Sequence, residues 1–161
     1  MDPVMAACVN MFGTNDHLLN KALDGLSAEE AWKHPGDANP IYWIAGHLAV
    51  YRHSLAKVLG VGAELSWAAL FKRTSQPDPA AQGPALAEIR SAIAAASGPL
   101  TDRFAELSDA DLSAAAPMKL PTQDPSVRGM IAFFAYHEAY HAGQIAYVKK
   151  WLGYPGLVDG Q

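Results

Sequence analysis

The placement of proline and glycine constrains the fold of this chain more than any other feature of its sequence. Apolar residues recur with a helical rather than an alternating period from one end to the other. Asn39-Pro40 and Asp124-Pro125 each join a capping residue to a proline, which is favoured in the first position of a helix. Glycines able to end a helix follow the apolar stretches, at Gly25, Gly60 and Gly153. The sequence therefore predicts an all-α protein.

These signals divide the chain into four long predicted helices. The first covers about 4–23, and the second is capped by Asn39 and ends near 59. The third has Pro84 in its first turn and is kinked or broken at Gly98-Pro99, and the fourth is capped by Asp124 and ends near 152. The connections, of about 15, 23 and 19 residues, leave room for crossovers along a bundle. We expect one four-helix bundle domain comprising residues 1–161.

Composition and charge exclude several classes of partner. Half of the 161 residues are apolar, and twelve Lys and Arg stand against sixteen acids, for a net charge of −4. Because the sequence has no run of basic residues that could bind the phosphates of a nucleic acid, we expect no nucleic-acid partner. No uncharged apolar stretch reaches the roughly 20 residues that cross a bilayer, and we expect no membrane partner. The single Cys8 rules out an internal disulfide and favours a cytoplasmic location.

The segment HEAYHAGQI, residues 137–145, places two histidines one helical turn apart. On a helix this spacing brings the Cβ atoms of His137 and His141 to about 5 to 6 Å from each other, which suits chelation of one metal ion. Phe133 and Phe134 belong to the same face. The two imidazoles are therefore expected to point into the interior.

His47, on the second predicted helix, offers a third inward imidazole among mostly apolar neighbours. It lies about 12 residues before the end of its helix, and His137 lies about 12 residues after the start of its own, so antiparallel helices would bring them level. A lone inward histidine is more often a hydrogen-bonded core residue, but three buried imidazoles without partners are costly. A divalent cation uses all three lone pairs. We predict a metal site on His47, His137 and His141, and the sequence leaves open whether His17 lines it.

HEAYH also matches motifs of two other metalloprotein classes. The extended zinc-protease motif needs Gly and His where this chain has Gln144 and Tyr147, and no glutamate follows position 138 to serve as a downstream ligand. A di-iron bundle needs a second Glu-x-x-His, which the sequence lacks. A single cation on three neutral imidazoles fits better, and it leaves coordination positions open for water or substrate.

The stretches NPIYWIAGHLAVYRHSL (39–55) and AYHEAYHAGQIAYVKKWLG (135–153) resemble the DinB/YfiT-like superfamily of metal-dependent four-helix bundles. The likeness covers nearly the whole chain. It implies an up-down-down-up bundle with a long crossover between its second and third helices. It also implies a divalent metal on His47, His137 and His141. Members of the superfamily are often homodimers, so we expect a homodimer, and the apolar first and third helices add slight support to this expectation.

The resemblance leaves the reaction open. Characterised relatives include transferases and isomerases that use low-molecular-weight thiols such as mycothiol or bacillithiol. The resemblance therefore implies a metal-dependent transferase or hydrolase that acts on a small electrophilic molecule, with a thiol or water as the nucleophile. No arginine cluster adjoins the histidines to bind a thiol cofactor's carboxylate, although Arg52, Arg128 and Lys149 are candidates at the ends. The alternative is a non-catalytic bundle that binds a metal or a small ligand.

Chemistry suggests roles for further residues. Three neutral ligands leave the +2 charge undiminished, so a bound water or thiol would lose its proton near neutral pH. Imidazole suits zinc, nickel, iron and copper alike, so the ligand type leaves the metal open. We expect zinc or nickel first, with iron or manganese as alternatives. We predict Glu138, Gln144 and Tyr51 as catalytic residues that orient ligands or move protons, and an exposed acid is the alternative for Glu138. Aromatic side chains would enclose a small substrate, namely Trp43, Tyr51, Phe133 and Phe134.

Overall fold

In the computed structural model, which describes residues 2–157, four long helices form most of the molecule. They are α1 (Pro3–Leu23), α3 (Ile41–Val58), α4 (Leu86–Glu106) and α6 (Val127–Trp151). The connections contain the short helices α2 (Ala28–Trp32) and α5 (Asp109–Ser113) and a 3₁₀ turn, Ala68–Phe71. No strand occurs within the described range, so the all-α prediction is confirmed. Over the same range, no helix has the length and hydropathy needed to cross a membrane.

The predicted caps of α3 and α6 are wrong by one and by two positions. Pro40 itself, and not Asn39, occupies the N-cap of α3, and no side chain caps that helix. Ser126 caps α6, its hydroxyl accepting a hydrogen bond from the amide of Gly129 at 3.2 Å. Asp124 instead accepts from the amide of Ser126 at 2.9 Å, in the turn before the helix. Proline at φ near −65° suits the residue that flanks a helix as well as its first residue, so the pair marks the region and not the exact cap.

The predictions made from Pro84 and Pro99 also differ in part from the structure of α4. Pro84, predicted in the first turn, precedes the helix, which begins at Leu86. Pro99 lies inside α4, and the helix continues past it without a break. A proline in a helix interior costs about 3 kcal/mol. Leu100 and Phe104 are buried beyond it, and their packing against the other helices maintains the last turns of α4.

Side-chain contacts define the directions of α1 and α6. Arg128, at the start of α6, pairs with Asp2 beside the start of α1 at 3.1 Å. Lys149, near the end of α6, donates to the carbonyl oxygen of Lys21 near the end of α1 at 3.0 Å. The two helices therefore lie parallel and pack side by side.

α3 runs antiparallel to α6 and parallel to α4. The rings of His47 and His141 are in contact, while Tyr51, further along α3, contacts Phe134, which lies earlier on α6. Along α4 the order is the same as along α3, since His53 bonds to the carbonyl of Ala92 and Arg103 donates to that of Leu59. These directions are those of an up-down-down-up order, and residues 59–85 make the crossover from α3 to α4.

A buried charge cluster centred on Arg52 joins all four long helices. The guanidinium is 2% exposed and donates to Glu138 of α6, with Nε 2.7 Å from Oε1 and Nη2 bonded to Oε2. It also pairs with Asp16 of α1 and donates to the hydroxyl of Ser97 on α4 at 2.8 Å. Glu138 is 1% exposed. We call these four residues, Arg52, Glu138, Asp16 and Ser97, the Arg52 cluster.

Replacing Arg52 with methionine should destabilise the protein strongly, because it leaves the carboxylate of Glu138 buried without its partner. Removal of one member of a buried ion pair costs about 3–5 kcal/mol. Urea unfolding would measure the loss. Arg90→Met is the matched control, since Arg90 pairs with the solvent-exposed side chain of Asp24. Exposed ion pairs contribute about 0–1 kcal/mol to stability. Equal effects of the two substitutions would contradict this account of the cluster.

Candidate metal centre

His47 of α3 and His137 and His141 of α6 meet where the two helices pack. One ring nitrogen from each residue lies within 4.8 Å of those from the other two. The Nε2 atoms of His47 and His137 are 3.3 Å apart, and the rings of His137 and His141 have centroids 4.5 Å apart. The structure thus brings together the three ligands predicted from the sequence, at the same height along the antiparallel helices.

Hydrogen bonds fix the tautomer of two of the three histidines. Nδ1 of His47 donates to the carbonyl oxygen of Phe71 at 2.8 Å. Nδ1 of His141 donates to Oε1 of Gln144 at 2.6 Å, and the amide nitrogen of Gln144 donates to the hydroxyl of Tyr140 at 3.2 Å. With the proton on Nδ1, each Nε2 keeps its lone pair for a metal ion. Nδ1 of His137 is buried and has no such partner in the described structure.

The donor set fits a single divalent cation. A zinc ion with nitrogen ligands at about 2.0–2.1 Å and tetrahedral angles sets two ligand nitrogens about 3.3–3.4 Å apart. The separation of the Nε2 atoms of His47 and His137 is 3.3 Å. At that distance two lone pairs repel one another, and either a shared proton or a shared cation makes the approach favourable. All three donors are uncharged nitrogens, which suits zinc, nickel or another transition metal.

Burial keeps these imidazoles neutral. It lowers the pKa of His47 from 6.5 to about 4 and that of His137 to about 3, because the charged form is poorly solvated in the interior. Burial lowers the pKa of His141 as well, although the hydrogen bond with Gln144 opposes that change. At neutral pH the site therefore presents three unprotonated ligands, the form that metal binding requires.

Aromatic rings surround the three histidines. Trp43 stacks on His47 with centroids 4.9 Å apart, and Tyr51 lies 4.3 Å from His47 and 4.9 Å from His137. The other contacts come from α6, where Phe133 approaches His137 at 5.9 Å and Tyr140 approaches His141 at 5.0 Å. Of the four predicted wall residues, Phe134 is buried in the core and contacts Tyr51.

Glu138 occupies a different environment from the other two predicted catalytic residues. Tyr51 and Gln144 touch histidines of the site, whereas the Glu138 carboxylate is bound by Arg52. Burial raises the pKa of Glu138, and the bonds from Arg52 oppose that rise. The alternative expectation of an exposed acid is wrong.

The remaining histidines lie elsewhere. His17 is exposed on α1 beside an open groove towards α4. His34 bonds to the carbonyl of Gly36, and the two ring nitrogens of His53 face the carbonyls of Ala63 and Ala92. None belongs to the three-histidine group.

The basic residues suggested for a thiol cofactor's carboxylate are engaged in structural contacts. Arg52 belongs to its buried cluster, and Arg128 pairs with Asp2. Lys149, also buried, donates to the carbonyls of Lys21 and Asp24. These contacts supply no anion site beside the histidines.

Gly46 and Phe71 position His47, and the sequence analysis missed both. A Cβ atom at Gly46 would lie 2.3 Å from Cδ1 of the Phe71 ring, so only glycine lets this ring pack directly on the α3 backbone. The packed ring holds the Phe71 carbonyl against Nδ1 of His47. Glycine inside a helix costs about 1 kcal/mol relative to alanine, so a glycine directly before an inward histidine is a signal in the sequence.

Comparison with known protein families agrees with this geometry. The sequence model of the DinB superfamily matches residues 11–145, a range that contains all three histidines. The chain belongs to the DinB superfamily. No curated protein matches it. Membership of the DinB superfamily and the three-histidine group are both compatible with metal binding.

In this DinB-superfamily protein, Gly46→Ala should weaken metal binding about 10- to 100-fold, the usual effect of disturbing a group that orients a ligand. The added methyl group displaces the Phe71 ring and with it the carbonyl that holds His47. Competition with a chromophoric chelator would measure the dissociation constant. Gly98→Ala is the matched control, because Gly98 is also within a helix but a Cβ atom added there would meet no neighbouring atom within 4 Å. An unchanged affinity in Gly46→Ala would show that the Phe71 contact does not position His47.

Proposed function

We propose that this protein is a metal-dependent enzyme that holds one divalent transition metal, zinc or nickel before iron or manganese, on His47, His137 and His141. It acts on a small electrophilic molecule in a transferase or hydrolase reaction. The observation that supports this proposal is the convergence of three neutral imidazoles, which no carboxylate of residues 2–157 joins. Structural zinc usually has four protein ligands, whereas three leave a position for a reactant. When bound, the cation supplies a positive charge that lowers the pKa of a thiol or water.

The chain's own residues orient the ligands and exclude water. The Phe71 carbonyl and the Gln144 side chain hold the rings of His47 and His141 in the tautomer that binds a metal. Trp43 and Tyr51 cover the His47 ring, which is 3% exposed. A dry and partly apolar surrounding of this kind favours a small, partly apolar substrate over a polypeptide.

Tyr51 is the best candidate for handling a substrate proton. Its ring lies against His47 and His137, and its hydroxyl has no hydrogen-bond partner among residues 2–157. The phenol is therefore free to bond to a reactant. We assign Gln144 to orienting His141, and Glu138 to holding α6 against α3 through Arg52.

A low-molecular-weight thiol and water are the two candidate nucleophiles. Family relatives that use thiols favour the thiol. The described residues form no free basic cluster beside the histidines, which favours water or an uncharged thiol. The same absence supports the second candidate function, a non-catalytic bundle that binds a metal or a small ligand. We propose a cytoplasmic location on the basis of the single, buried Cys8.

Metal content tests the ligand set. Purified protein loaded with zinc or nickel should hold about one ion per chain, because three nitrogen ligands suffice for one site. His47→Ala, His137→Ala and His141→Ala should each retain only a small fraction of that metal after dialysis, as measured by elemental analysis. His17→Ala is the control and should keep full occupancy. Full occupancy in all three ligand variants would exclude this site.

Activity separates the enzyme from the binding protein. The metal-loaded protein should convert epoxides, maleyl-type acids or halogenated compounds, with or without an added thiol. Tyr51→Phe should lower kcat about 10²- to 10⁴-fold, as expected for loss of a proton-transfer group, and should leave the metal content unchanged. Product formation would be followed by mass spectrometry. Equal rates for the parent protein and His141→Ala, with metal bound in the parent, would favour the non-catalytic function.

A further inference from the structure

A cavity of about 210 Å³ lies between α2, the start of α3 and the crossover, and none of the three histidines lines it. Four aromatic side chains form much of its wall, namely Trp32, Tyr42, Trp43 and Phe71, and we call it the Trp32 cavity. Trp43 and Phe71 are buried, whereas Trp32 and Tyr42 are half-buried. An apolar cavity of about 150 Å³ is large enough to hold benzene. The Trp32 cavity therefore has room for one molecule of about that size.

Hydrogen bonds hold two of these aromatic side chains in place. The Tyr42 hydroxyl donates to the carbonyl oxygen of Pro84 at 2.7 Å. Gly83 permits this approach, since a Cβ atom there would lie 2.4 Å from the hydroxyl oxygen. The indole N–H of Trp43 donates to the hydroxyl of Ser75 at 3.2 Å. The donors of both side chains are thus used within the protein, and their rings are fixed before a ligand arrives, which lowers the entropic cost of binding.

Of the described residues that line the Trp32 cavity, Asp78 alone is charged. Its side chain is exposed, and Oδ1 accepts a hydrogen bond from the amide of Ala80 at 2.9 Å. No basic side chain of residues 2–157 forms an ion pair with this carboxylate. The carboxamide of Gln76, also on the lining, is uncharged. The described lining therefore offers no positive group to an anion, and it offers an unpaired carboxylate to a cation.

Aromatic walls and a carboxylate together suit one class of ligand. The face of an aromatic ring attracts a positive charge, because the ring's quadrupole concentrates negative charge there, and tryptophan does so most strongly. An alkylated ammonium carries such a charge beneath apolar methyl groups, which can pack against rings as an uncharged molecule does. The Asp78 carboxylate adds a Coulombic attraction that dissolved salt weakens. We infer that the Trp32 cavity binds a small organic cation of the alkylated-ammonium class.

The Trp32 cavity is separate from the candidate metal centre, although two of its wall residues also contact His47. The Trp43 ring stacks on the His47 ring, and the Phe71 carbonyl accepts a hydrogen bond from its Nδ1. The lining of the cavity includes none of the three candidate metal ligands. Binding of the cation therefore needs no metal, and the two sites can be tested apart.

Choline and its uncharged carbon isostere, 3,3-dimethylbutan-1-ol, test the preference for a cation. Each would be titrated into the whole chain, with and without zinc, while NMR spectra follow the indole N–H signals. Choline should shift the signals of Trp32 and Trp43 in both forms and leave that of Trp151, exposed on α6, unchanged. The isostere should bind about 3- to 30-fold more weakly, because it lacks the cation–π attraction. Equal affinities, choline binding only with zinc, or no saturable shift would each overturn the proposal.

Two substitutions, each with a matched control, test the location of the site. Trp32→Leu should weaken choline binding about 3- to 30-fold, because it removes an aromatic wall, whereas Trp151→Leu should not. Asp78→Asn should weaken it about two- to fivefold and reduce its dependence on salt, since an exposed charge acts weakly and is screened. Asp102→Asn, which removes an exposed carboxylate on α4, should leave the affinity unchanged. Circular dichroism at the parent level would show that each variant is folded. Parent affinity in folded Trp32→Leu would place choline elsewhere and overturn the proposal.

Discussion

The ion pairs and hydrogen bonds of the Arg52 guanidinium are the interactions on which the rest of this structure depends. It is buried, and its partners lie on each of the other three long helices. A buried charge is costly unless its hydrogen bonds are made, so the cluster favours the one register of α3 against α6 in which Arg52 meets Glu138. Glu138 directly follows His137 in the chain. The register that satisfies the charge is therefore also the register that levels the histidines.

The sequence predicted those features of the fold and the site that depend on local residue pattern. The helical period and the glycine and proline signals indicated four long helices, and the spacing of His137 and His141 placed both on one face whatever the surroundings. Helix caps were predicted less exactly, because Pro40 and Pro125 suit either side of a helix boundary. Of the kink or break predicted at Pro99, the break does not occur, because the packing of Phe104, a non-local contribution, keeps α4 helical beyond it.

The parts of the site that sequence reasoning missed come from distant segments. The Phe71 carbonyl reaches His47 from the crossover between α3 and α4, and a backbone atom carries no residue-type signal. The role of Glu138 was predicted only from its position next to His137 in the sequence, whereas its environment is set by Arg52 on another helix. A basic residue on an otherwise apolar helix face, such as Arg52, was the one signal that could have indicated a buried partner.

Among residues 2–157, Nδ1 of His137 has no hydrogen-bond partner, which distinguishes this residue from the other two histidines of the group. The rings of His47 and His141 are each restrained at the nitrogen away from the centre, so rotating either one breaks a hydrogen bond. No comparable bond in the described structure resists rotation of His137. An ion would therefore leave by detaching from His137 first. The residues packed around that ring, Tyr51 and Phe133, would then set how fast an ion held there exchanges, separately from its affinity.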